Sequence, residues 1–197
     1  TVGGDMKIAG NLINPSVLII GCFHGDEPQG EYLIERYLDK KPDTNIVFIP
    51  CLNRYGTKNG VRTNENGVDL NRNFPTQNWE KTEKNEFFGG DEPASEIETR
   101  FVMETVEKYK PRLILTLHAP YKIVNYDGDA LVVANAISKI IGYPVEESIG
   151  YPTPGSFGTW AGVEKGIPTI TLELDEEVEV QLLQEPVFKI FEMLEKY

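Results

Sequence analysis

Short apolar segments rich in branched side chains recur along the chain, with helical patterns between them. The apolar segments are Val17–Gly21, Ile46–Ile49, Leu113–Leu117 and Ile167–Leu174. Runs of this length and composition are typical of strands buried on both faces, as in sheets that helices cover on either side. The sequence therefore predicts an α/β fold in a single domain over residues 1–197, with a central mixed, mostly parallel β-sheet flanked by helices.

Four segments carry apolar residues at the spacing of an amphipathic helix. These are Glu31–Lys40, Ser95–Lys110, Ala130–Ile141 and Pro186–Tyr197. The second opens on Ser95-Glu96-Ile97-Glu98, the pattern of a capping box. The polar stretch Asn53–Pro93 has little periodicity, and a loop of that length in a compact domain is usually functional.

Composition narrows the possible partners. Lys and Arg number 19 against 31 Asp and Glu, a formal net charge of -12. So acidic a surface repels phosphate backbones and anionic bilayers, which argues against nucleic-acid and membrane partners. No apolar run approaches the roughly 20 residues of a membrane-spanning helix. The sequence does not indicate an oligomeric state.

Two cysteines are too few for a disulfide framework in a chain of this length. Cys22 and Cys51 each end an apolar run, where a buried thiol is expected, although pairing between them stays open. No charged segment followed by an apolar stretch opens the sequence, so we expect a cytoplasmic location. Because the sequence begins at Thr1 rather than Met, a periplasmic location also stays open.

The two histidines of the chain, His24 and His118, each lie just past an apolar run. Glu27 lies three positions after His24, on a loop that leads into the first helical pattern. Two imidazoles and one carboxylate form the set that zinc hydrolases favour, with a fourth position left for water. A core role for the histidines, and a helix N-terminal role for the Glu27 carboxylate, stay open as alternatives.

Glu173 follows an apolar run that is predicted to be a buried strand. A carboxylate in a doubly covered sheet is costly unless it is paired or bound to a metal. At the carboxyl end of the strand it can face a cleft, where it would take a proton from a water nucleophile and return it to a leaving amine. If the strand ends earlier, Glu173 instead joins the solvated acidic residues that follow it.

Two further segments offer groups for substrate binding. Arg62 and Asp69-Leu70-Asn71-Arg72 place guanidinium groups in a polar loop of an acidic protein. Guanidinium binds a carboxylate bidentately and can also stabilise an oxyanion. The segment Gly150–Trp160 combines Pro and Gly with aromatic residues, which suits either a contact surface or a plain connector.

Taken in order, these segments resemble the zinc carboxypeptidase family, the carboxypeptidase A-like (M14) metallopeptidases. The ordered set is His24-Gly25-Asp26-Glu27, Arg62, Asp69-Leu70-Asn71-Arg72-Asn73-Phe74, His118 and Glu173. Leu117–Pro120, Asn125–Gly128 and Tyr151–Ser156 are similar to segments of the murein peptide amidases of that family. The resemblance implies a zinc metallopeptidase, a hydrolase that cleaves the γ-D-glutamyl–diaminopimelate amide bond of peptidoglycan-derived peptides.

The resemblance also implies roles for the reacting groups. It implies that His24, Glu27 and His118 bind one Zn²⁺, whose bound water is the nucleophile. Glu173 would be the general base and acid, and Arg62 would polarise the scissile carbonyl and stabilise the oxyanion.

Substrate-binding roles follow from the same resemblance. Asn71 and Arg72 would hold the carboxylate beside the cleaved bond, and Tyr151 would be the family's mobile tyrosine. The far end of diaminopimelate needs a group that reads its ammonium, and charge and position in the chain point to Asp127 or Asp129. The expected partner is therefore a small murein tripeptide-like molecule.

Two alternatives stay open. A zinc-dependent acyl-amino-acid deacylase, of the aspartoacylase or succinylglutamate desuccinylase type, would share the zinc site and a similar Asp-Leu-Asn-Arg segment. A non-catalytic peptidoglycan-peptide binding protein would keep the fold without the reaction. The complete set of ligand types and Glu173 favour an enzyme, and the segment Tyr151–Ser156 favours the murein type.

Overall fold

A computed structural model describes residues 6–147 and 150–197. Its sheet has seven strands in the order β1-β3-β2-β4-β7-β5-β6. The strands are β1 (Ala9–Gly10), β2 (Val17–Gly21), β3 (Ile46–Ile49), β4 (Leu113–His118), β5 (Ile123–Asp127), β6 (Val145–Glu146) and β7 (Thr169–Glu173). Strands β3, β2, β4 and β7 are parallel, whereas β1, β5 and β6 run in the opposite direction. The predicted mixed, mostly parallel sheet is confirmed.

Helices cover both faces of this sheet. They are α1 (Gln29–Lys40), α2 (Arg54–Asn59), α3 (Ile97–Tyr109), α4 (Leu131–Ile141) and α5 (Gln184–Leu194). Alternate residues of β2 enter opposite cores: Val17 and Ile19 pack in the core that contains the apolar faces of α1, α4 and α5, and Leu18 and Ile20 in the core that contains that of α3. Continuous apolar runs therefore correspond to strands covered on both sides.

The parallel register brings the carboxyl ends of the central strands to one edge. Gly21 of β2 pairs with Leu117 of β4, and His118 of β4 pairs with Glu173 of β7. Loops that leave these strands therefore meet over the same part of the sheet, where α/β proteins usually bind ligands.

Helix α3 departs from its predicted start. It begins at Ile97 rather than Ser95, and its N-cap residue Glu96 makes no side-chain capping bond. The carboxylates of Glu96 and Glu98 instead accept hydrogen bonds from the Asn64 side chain, at 2.8 and 3.2 Å. The capping-box prediction is wrong because tertiary contacts occupy the carboxylate that the box requires.

The polar stretch Asn53–Pro93 is partly ordered into helical turns. It contains α2 and a single 3-10 turn at Leu70–Arg72. Both cysteines are buried free thiols, as expected. In the described ranges, no helix has the length and apolar character needed to cross a membrane.

Candidate metal centre and substrate cleft

Three strand and helix ends bring the predicted metal ligands together. His24 lies on the loop after β2, Glu27 lies shortly before α1, and His118 is the last residue of β4. All three side chains are buried. One ligand atom from each lies within 4.8 Å of the other two. The fold thus joins two imidazoles and a carboxylate that are distant in the sequence.

The Glu27 carboxylate lies between the two imidazoles. Its Oε2 contacts Nδ1 of His24, and its Oε1 lies 3.5 Å from Nδ1 of His118. Oε1 also accepts a hydrogen bond from the backbone N–H of Ala119 at 2.7 Å, which fixes the carboxylate against the end of β4. Both histidines therefore turn their Nδ1 atoms toward the same carboxylate.

Asp69 orients this cluster. Its Oδ1 lies 2.9 Å from Nε2 of His24, and its Oδ2 accepts hydrogen bonds from Nε and Nη2 of Arg62 at 3.0 and 2.9 Å. A metal-ligating histidine commonly donates its second ring N–H to a carboxylate in this way, which leaves the other nitrogen for the metal. The donor set of two Nδ1 atoms and one carboxylate therefore fits a divalent ion such as Zn²⁺.

The pKa values in the cluster follow from burial and from these charges. Burial favours a neutral His24, but the negative charges of Asp69 and Glu27 raise its pKa to about 9. Burial also disfavours ionised Glu27, yet the positive charge of His24 holds the pKa of Glu27 well below its usual range. Burial lowers the pKa of His118. The site thus favours positive charge beside Glu27 and Asp69, and a divalent cation held by His24, Glu27 and His118 would supply that charge in place of the proton on His24.

Glu173 ends β7 and pairs with His118 across the ladder between β4 and β7. Its side chain is buried, and its Oε2 has no hydrogen-bond partner among the described residues. Burial, reinforced by the negative charge of Glu27, raises the pKa of Glu173 to about 8. The strand extends to Glu173, and the same small cavity is lined by this carboxyl and by the three metal-ligand candidates. A buried carboxyl with one unpartnered oxygen beside such a cluster is characteristic of a functional group.

The two arginines lie at the same cavity. The guanidinium of Arg62 lies 4.9 Å from the ring centre of Phe87. Arg72 is buried, and burial lowers its pKa. The Asn71 side-chain oxygen accepts a hydrogen bond from the backbone N–H of Phe157 at 2.9 Å. This bond uses only the oxygen, so the NH₂ group can still donate to a ligand. An anionic group in the cavity would therefore meet two guanidinium groups and an amide donor.

The segment Gly150–Trp160 is anchored in the core and is more than a plain connector. The backbone oxygen of Gly155 accepts a hydrogen bond from the N–H of Phe74 at 2.9 Å. Phe74 also packs against the Trp160 ring, with ring centres 5.6 Å apart. Tyr151 stays 41% exposed at the rim, and its hydroxyl lies 3.3 Å from that of Tyr121. A rim tyrosine on an anchored segment is therefore available to a bound substrate.

An outer and an inner cavity extend from the ligand cluster. The outer cavity has a volume of about 480 Å³, and its lining includes Arg62, Arg72, Phe87, Tyr121 and Tyr151. The inner cavity has a volume of about 110 Å³, and its lining includes Asn71, Asp127, Glu147, Tyr151 and Glu173. Asn71 and Tyr151 also line the small cavity at the ligands, so the three spaces share walls.

Asp127 lines the inner cavity, whereas Asp129 is exposed and does not line it. Burial raises the pKa of Asp127 to about 6. A Cβ atom added to Gly158 would lie 2.1 Å from Oδ2 of Asp127, and one added to Gly162 would lie 2.5 Å from its Cβ. These two glycines therefore leave the space that the Asp127 side chain occupies, and of the two aspartates only Asp127 lines the inner cavity.

The loop that carries His24 packs closely against α2. A Cβ atom added to Gly25 would lie 1.9 Å from the carbonyl carbon of Gly56, so the two backbones are in direct contact. The N–H of Gly25 donates to the backbone oxygen of Arg62 at 3.2 Å. Backbone contacts therefore hold the His24 and Arg62 segments together.

The model of the zinc carboxypeptidase family matches residues 5–133. The chain belongs to the zinc carboxypeptidase family. Murein peptide amidase A of Escherichia coli (strain K12) is 32% identical over 160 residues, which cover 74% of this chain and 65% of that protein. The protein of the same name from Vibrio campbellii is 32% identical over 181 residues, which cover 82% of this chain and 70% of that protein.

The fold also matches that of a solved structure. The crystal structure of murein-tripeptide amidase from Escherichia coli O157 has a TM-score of 0.82 at 27% identity, covering 95% of this chain and 83% of that one. The predicted family is confirmed, and zinc and metallopeptidase activity are typical of that family. The chain spans just under two thirds of the length of the Escherichia coli (strain K12) relative.

The sequence predicts no role for two residues of this site, Asp69 and Tyr121. Asp69 belongs to the Asp-Leu-Asn-Arg segment, but only the structure shows that it contacts both His24 and Arg62. Its signal in the sequence is an acidic residue between two arginines in a polar loop. Tyr121 carries no such signal, because only the fold brings its hydroxyl to Tyr151.

Proposed function

We propose that the protein is a zinc-dependent amidase that hydrolyses the γ-D-glutamyl–diaminopimelate bond of small peptidoglycan-derived peptides. The observation that carries the proposal is the inner cavity, whose wall contains both Glu173, with its unpartnered Oε2, and the half-buried carboxylate of Asp127. A cavity with a proton-transfer group at one place and an acidic group at another suits a leaving group with an amine at each end. Diaminopimelate is such a molecule.

His24, Glu27 and His118 would hold the metal. Bound there, Zn²⁺ supplies a Lewis acid and a water molecule of lowered pKa. Glu173 takes the proton of the attacking water at its Oε2 and passes it to the departing amine nitrogen. The positive charge of Arg62 opposes the effect of burial and so favours the ionised form of Glu173 that can accept this proton, and a bound divalent ion would act in the same direction.

Arg62 donates to the carbonyl oxygen as negative charge develops on it. Asp69 restrains this guanidinium through two hydrogen bonds, and Phe87 lies against its face. The side chain is therefore oriented before substrate binds. Asn71 and Arg72 bind the carboxylate beside the cleaved bond and so set the register of the peptide.

Asp127 binds the distant ammonium of diaminopimelate in the inner cavity. The cavity is small, and Glu147, which lines it together with Asp127 and Glu173, adds to its preference for a cation. Tyr151 contacts the bound peptide at the rim, where its ring is exposed beside Tyr121.

Incubation with L-Ala-γ-D-Glu-meso-diaminopimelate, followed by mass spectrometry, tests this function. Free diaminopimelate and L-Ala-D-Glu are the expected products, and a chelator should stop their release until zinc is restored. N-acetylaspartate and N-succinylglutamate are assayed in parallel. Cleavage of these acyl amino acids alone would identify a deacylase, and zinc binding without any turnover would identify a binding protein.

Metal removal should lower thermal stability. At a zinc concentration about 1,000 times Kd, binding stabilises a protein by about 4 kcal/mol, which corresponds to roughly 8–16 °C in Tm at this size. Differential scanning fluorimetry with and without chelator measures the shift. Glu27→Gln is the matched control, since it should show a much smaller response to zinc. Equal responses in the two proteins would place the stabilising ion elsewhere.

Asp127→Asn should impair substrates with a cationic side chain in the inner cavity. Loss of a partly buried charge pair costs about 2 kcal/mol or more, roughly 30-fold in kcat/KM. The comparison substrate carries norleucine in place of diaminopimelate, and its kcat/KM should change little. Equal losses on both peptides would contradict a role in reading the ammonium.

The pH dependence of kcat/KM should also show whether Asp127 binds the ammonium. Because the pKa of Asp127 is about 6, the ratio of kcat/KM for the diaminopimelate peptide to that for the norleucine peptide should fall as pH decreases through about 6. The ratio removes the contribution of Glu173, which acts on both substrates. In Asp127→Asn the ratio should be nearly flat, and any residual slope would report Glu147 or Tyr151, the other titratable groups of the cavity.

A further inference from the structure

A second group of ligating side chains converges where β2, β3 and α1 meet. Cys22 directly follows β2, Glu31 lies in the first turn of α1, and Cys51 lies shortly after β3. One ligand atom from each lies within 4.8 Å of the other two. Both thiols are buried and free of disulfide bonds. The proposed reaction uses none of these three residues.

Close backbone packing brings the three residues together. A Cβ atom added to Gly30 would lie 2.9 Å from the Cα of Gly21, so the first turn of α1 rests on the end of β2 and carries Glu31 toward the thiols. Cys22 has a left-handed φ of 57°, a conformation that favours glycine. Its Sγ lies 3.8 Å from the backbone oxygen of Pro50, the residue before Cys51. The unusual backbone thus directs the thiol toward the end of β3.

The surroundings of the cluster suit a cation held by anionic ligands. Two thiolates and a carboxylate carry three negative charges, which a divalent ion and the guanidinium of Arg54 together balance. Arg54 hydrogen bonds to Oε1 of Glu31, which leaves Oε2 for a ligand bond. The hydroxyl of Thr57 lies 3.4 Å from Sγ of Cys51. Such outer contacts orient ligands around a bound metal.

We propose that Cys22, Cys51 and Glu31 form a second metal site that takes Zn²⁺ or a chemically similar thiophilic divalent ion. Two sulfur ligands and one carboxylate oxygen are ligands that Zn²⁺ accepts, and water supplies an oxygen for the fourth position. Each thiol releases its proton to solvent as it ligates. Glu31 and Arg54 are partly exposed, so the ion reaches the site from the surface.

The site would tie together segments that support the His24 loop. The backbone oxygen of Cys22 accepts a hydrogen bond from the N–H of Asn53 at 2.9 Å, so the chain after β2 is already paired with the chain after β3. An ion held by both thiols would add a link through side chains between these two segments, and its bond to Glu31 would join both of them to α1. Its role is structural and does not depend on the amidase reaction.

Cadmium titration of the reduced wild-type chain tests the site. Cadmium–thiolate bonds absorb in the ultraviolet by charge transfer, and the His24, Glu27 and His118 cluster contains no sulfur, so the band reports only the cysteine site. We expect a band that saturates stoichiometrically in the wild type and persists in Glu27→Gln. If the folded wild-type chain shows no band, the proposal is overturned, and this result does not depend on whether a cysteine variant folds.

Variants then assign the ligands. Cys51→Ser should lose the band and bind one equivalent of metal fewer than the wild type. Glu31→Gln should keep a sulfur band with cadmium affinity weaker by at least about 10- to 100-fold, since losing a ligand costs no less than losing a group that only orients one. Glu35→Gln, an exposed change on the same helix, is the matched control. Equal affinities of Glu31→Gln and Glu35→Gln would overturn the three-ligand site.

Discussion

Glu173→Gln is expected to fold and bind zinc like the wild-type chain while losing roughly 100- to 10,000-fold in kcat. The amide has the same shape as the carboxyl group but cannot accept the proton of the attacking water. No hydrogen bond of Oε2 is lost, because no described residue makes one. Steady-state kinetics on the diaminopimelate tripeptide, with zinc content measured by atomic absorption, check this expectation.

Stability separates this chemical role from a structural one. Because burial raises the pKa of Glu173 to about 8, the metal-free folded state retains a proton that the unfolded state releases near pH 4. The contribution of Glu173 to the free energy of unfolding therefore decreases as pH rises from about 4 to about 8. The Gln side chain of the variant does not titrate, so the variant does not lose this stability. At neutral pH the metal-free variant should melt no lower than the wild type.

Glu176→Gln is the matched control for this experiment, since Glu176 is an exposed carboxylate three residues further along the chain. It should leave kcat unchanged. Near-normal turnover in Glu173→Gln would remove Glu173 from the mechanism, and a lowered zinc content would indicate that its main effect is on the metal cluster.

Arg62→Ala is expected to lower kcat by about 100- to 1,000-fold with a smaller change in KM. The guanidinium would act on charge that develops only in the transition state, so its loss should affect the chemical step more than ground-state binding. The test is a comparison of kcat and KM with the wild type on the same tripeptide. A raised KM with unchanged kcat would assign Arg62 to substrate binding.

Arg62 also neutralises buried Asp69, so indirect damage must be excluded. Asp69 keeps its contacts with His24 and with the N–H of Asn71 when the guanidinium is removed, so the metal ligands should remain in place. Arg62→Lys retains the charge but loses the two-nitrogen fork, and it should recover only part of the rate. Arg36→Ala, an exposed change on α1, should have no effect.

The central strands and the ligand residues could be predicted because their signals are local or ordered. Ile46–Ile49 is both the predicted run and the observed β3, since a strand buried on both faces needs apolar residues throughout. The ligand candidates follow such runs, so once β2, β4 and β7 are placed side by side, His24, His118 and Glu173 must lie at one edge.

Elements with weak hydrophobic patterns could not be predicted in this way. Strand β5, Ile123–Asp127, mixes apolar and polar residues in five positions and depends on its antiparallel pairing with β7. The sequence therefore predicts no position in the sheet for Asp127, and it gives no reason to prefer Asp127 over Asp129 as the group that binds the ammonium. The roles of Asp69 and Tyr121 likewise depend on partners that are distant in the sequence.

The backbone contact between Gly25 and Gly56 limits how the enzyme can be altered. With 1.9 Å between an added Cβ and a carbonyl carbon, not even a methyl group fits at position 25, and the obstacle is main chain that cannot rotate away. Random libraries should therefore recover only glycine there. Efforts to change the accepted peptides belong instead on the outer wall, where Glu80 and Glu86 line open space and side chains can be exchanged freely.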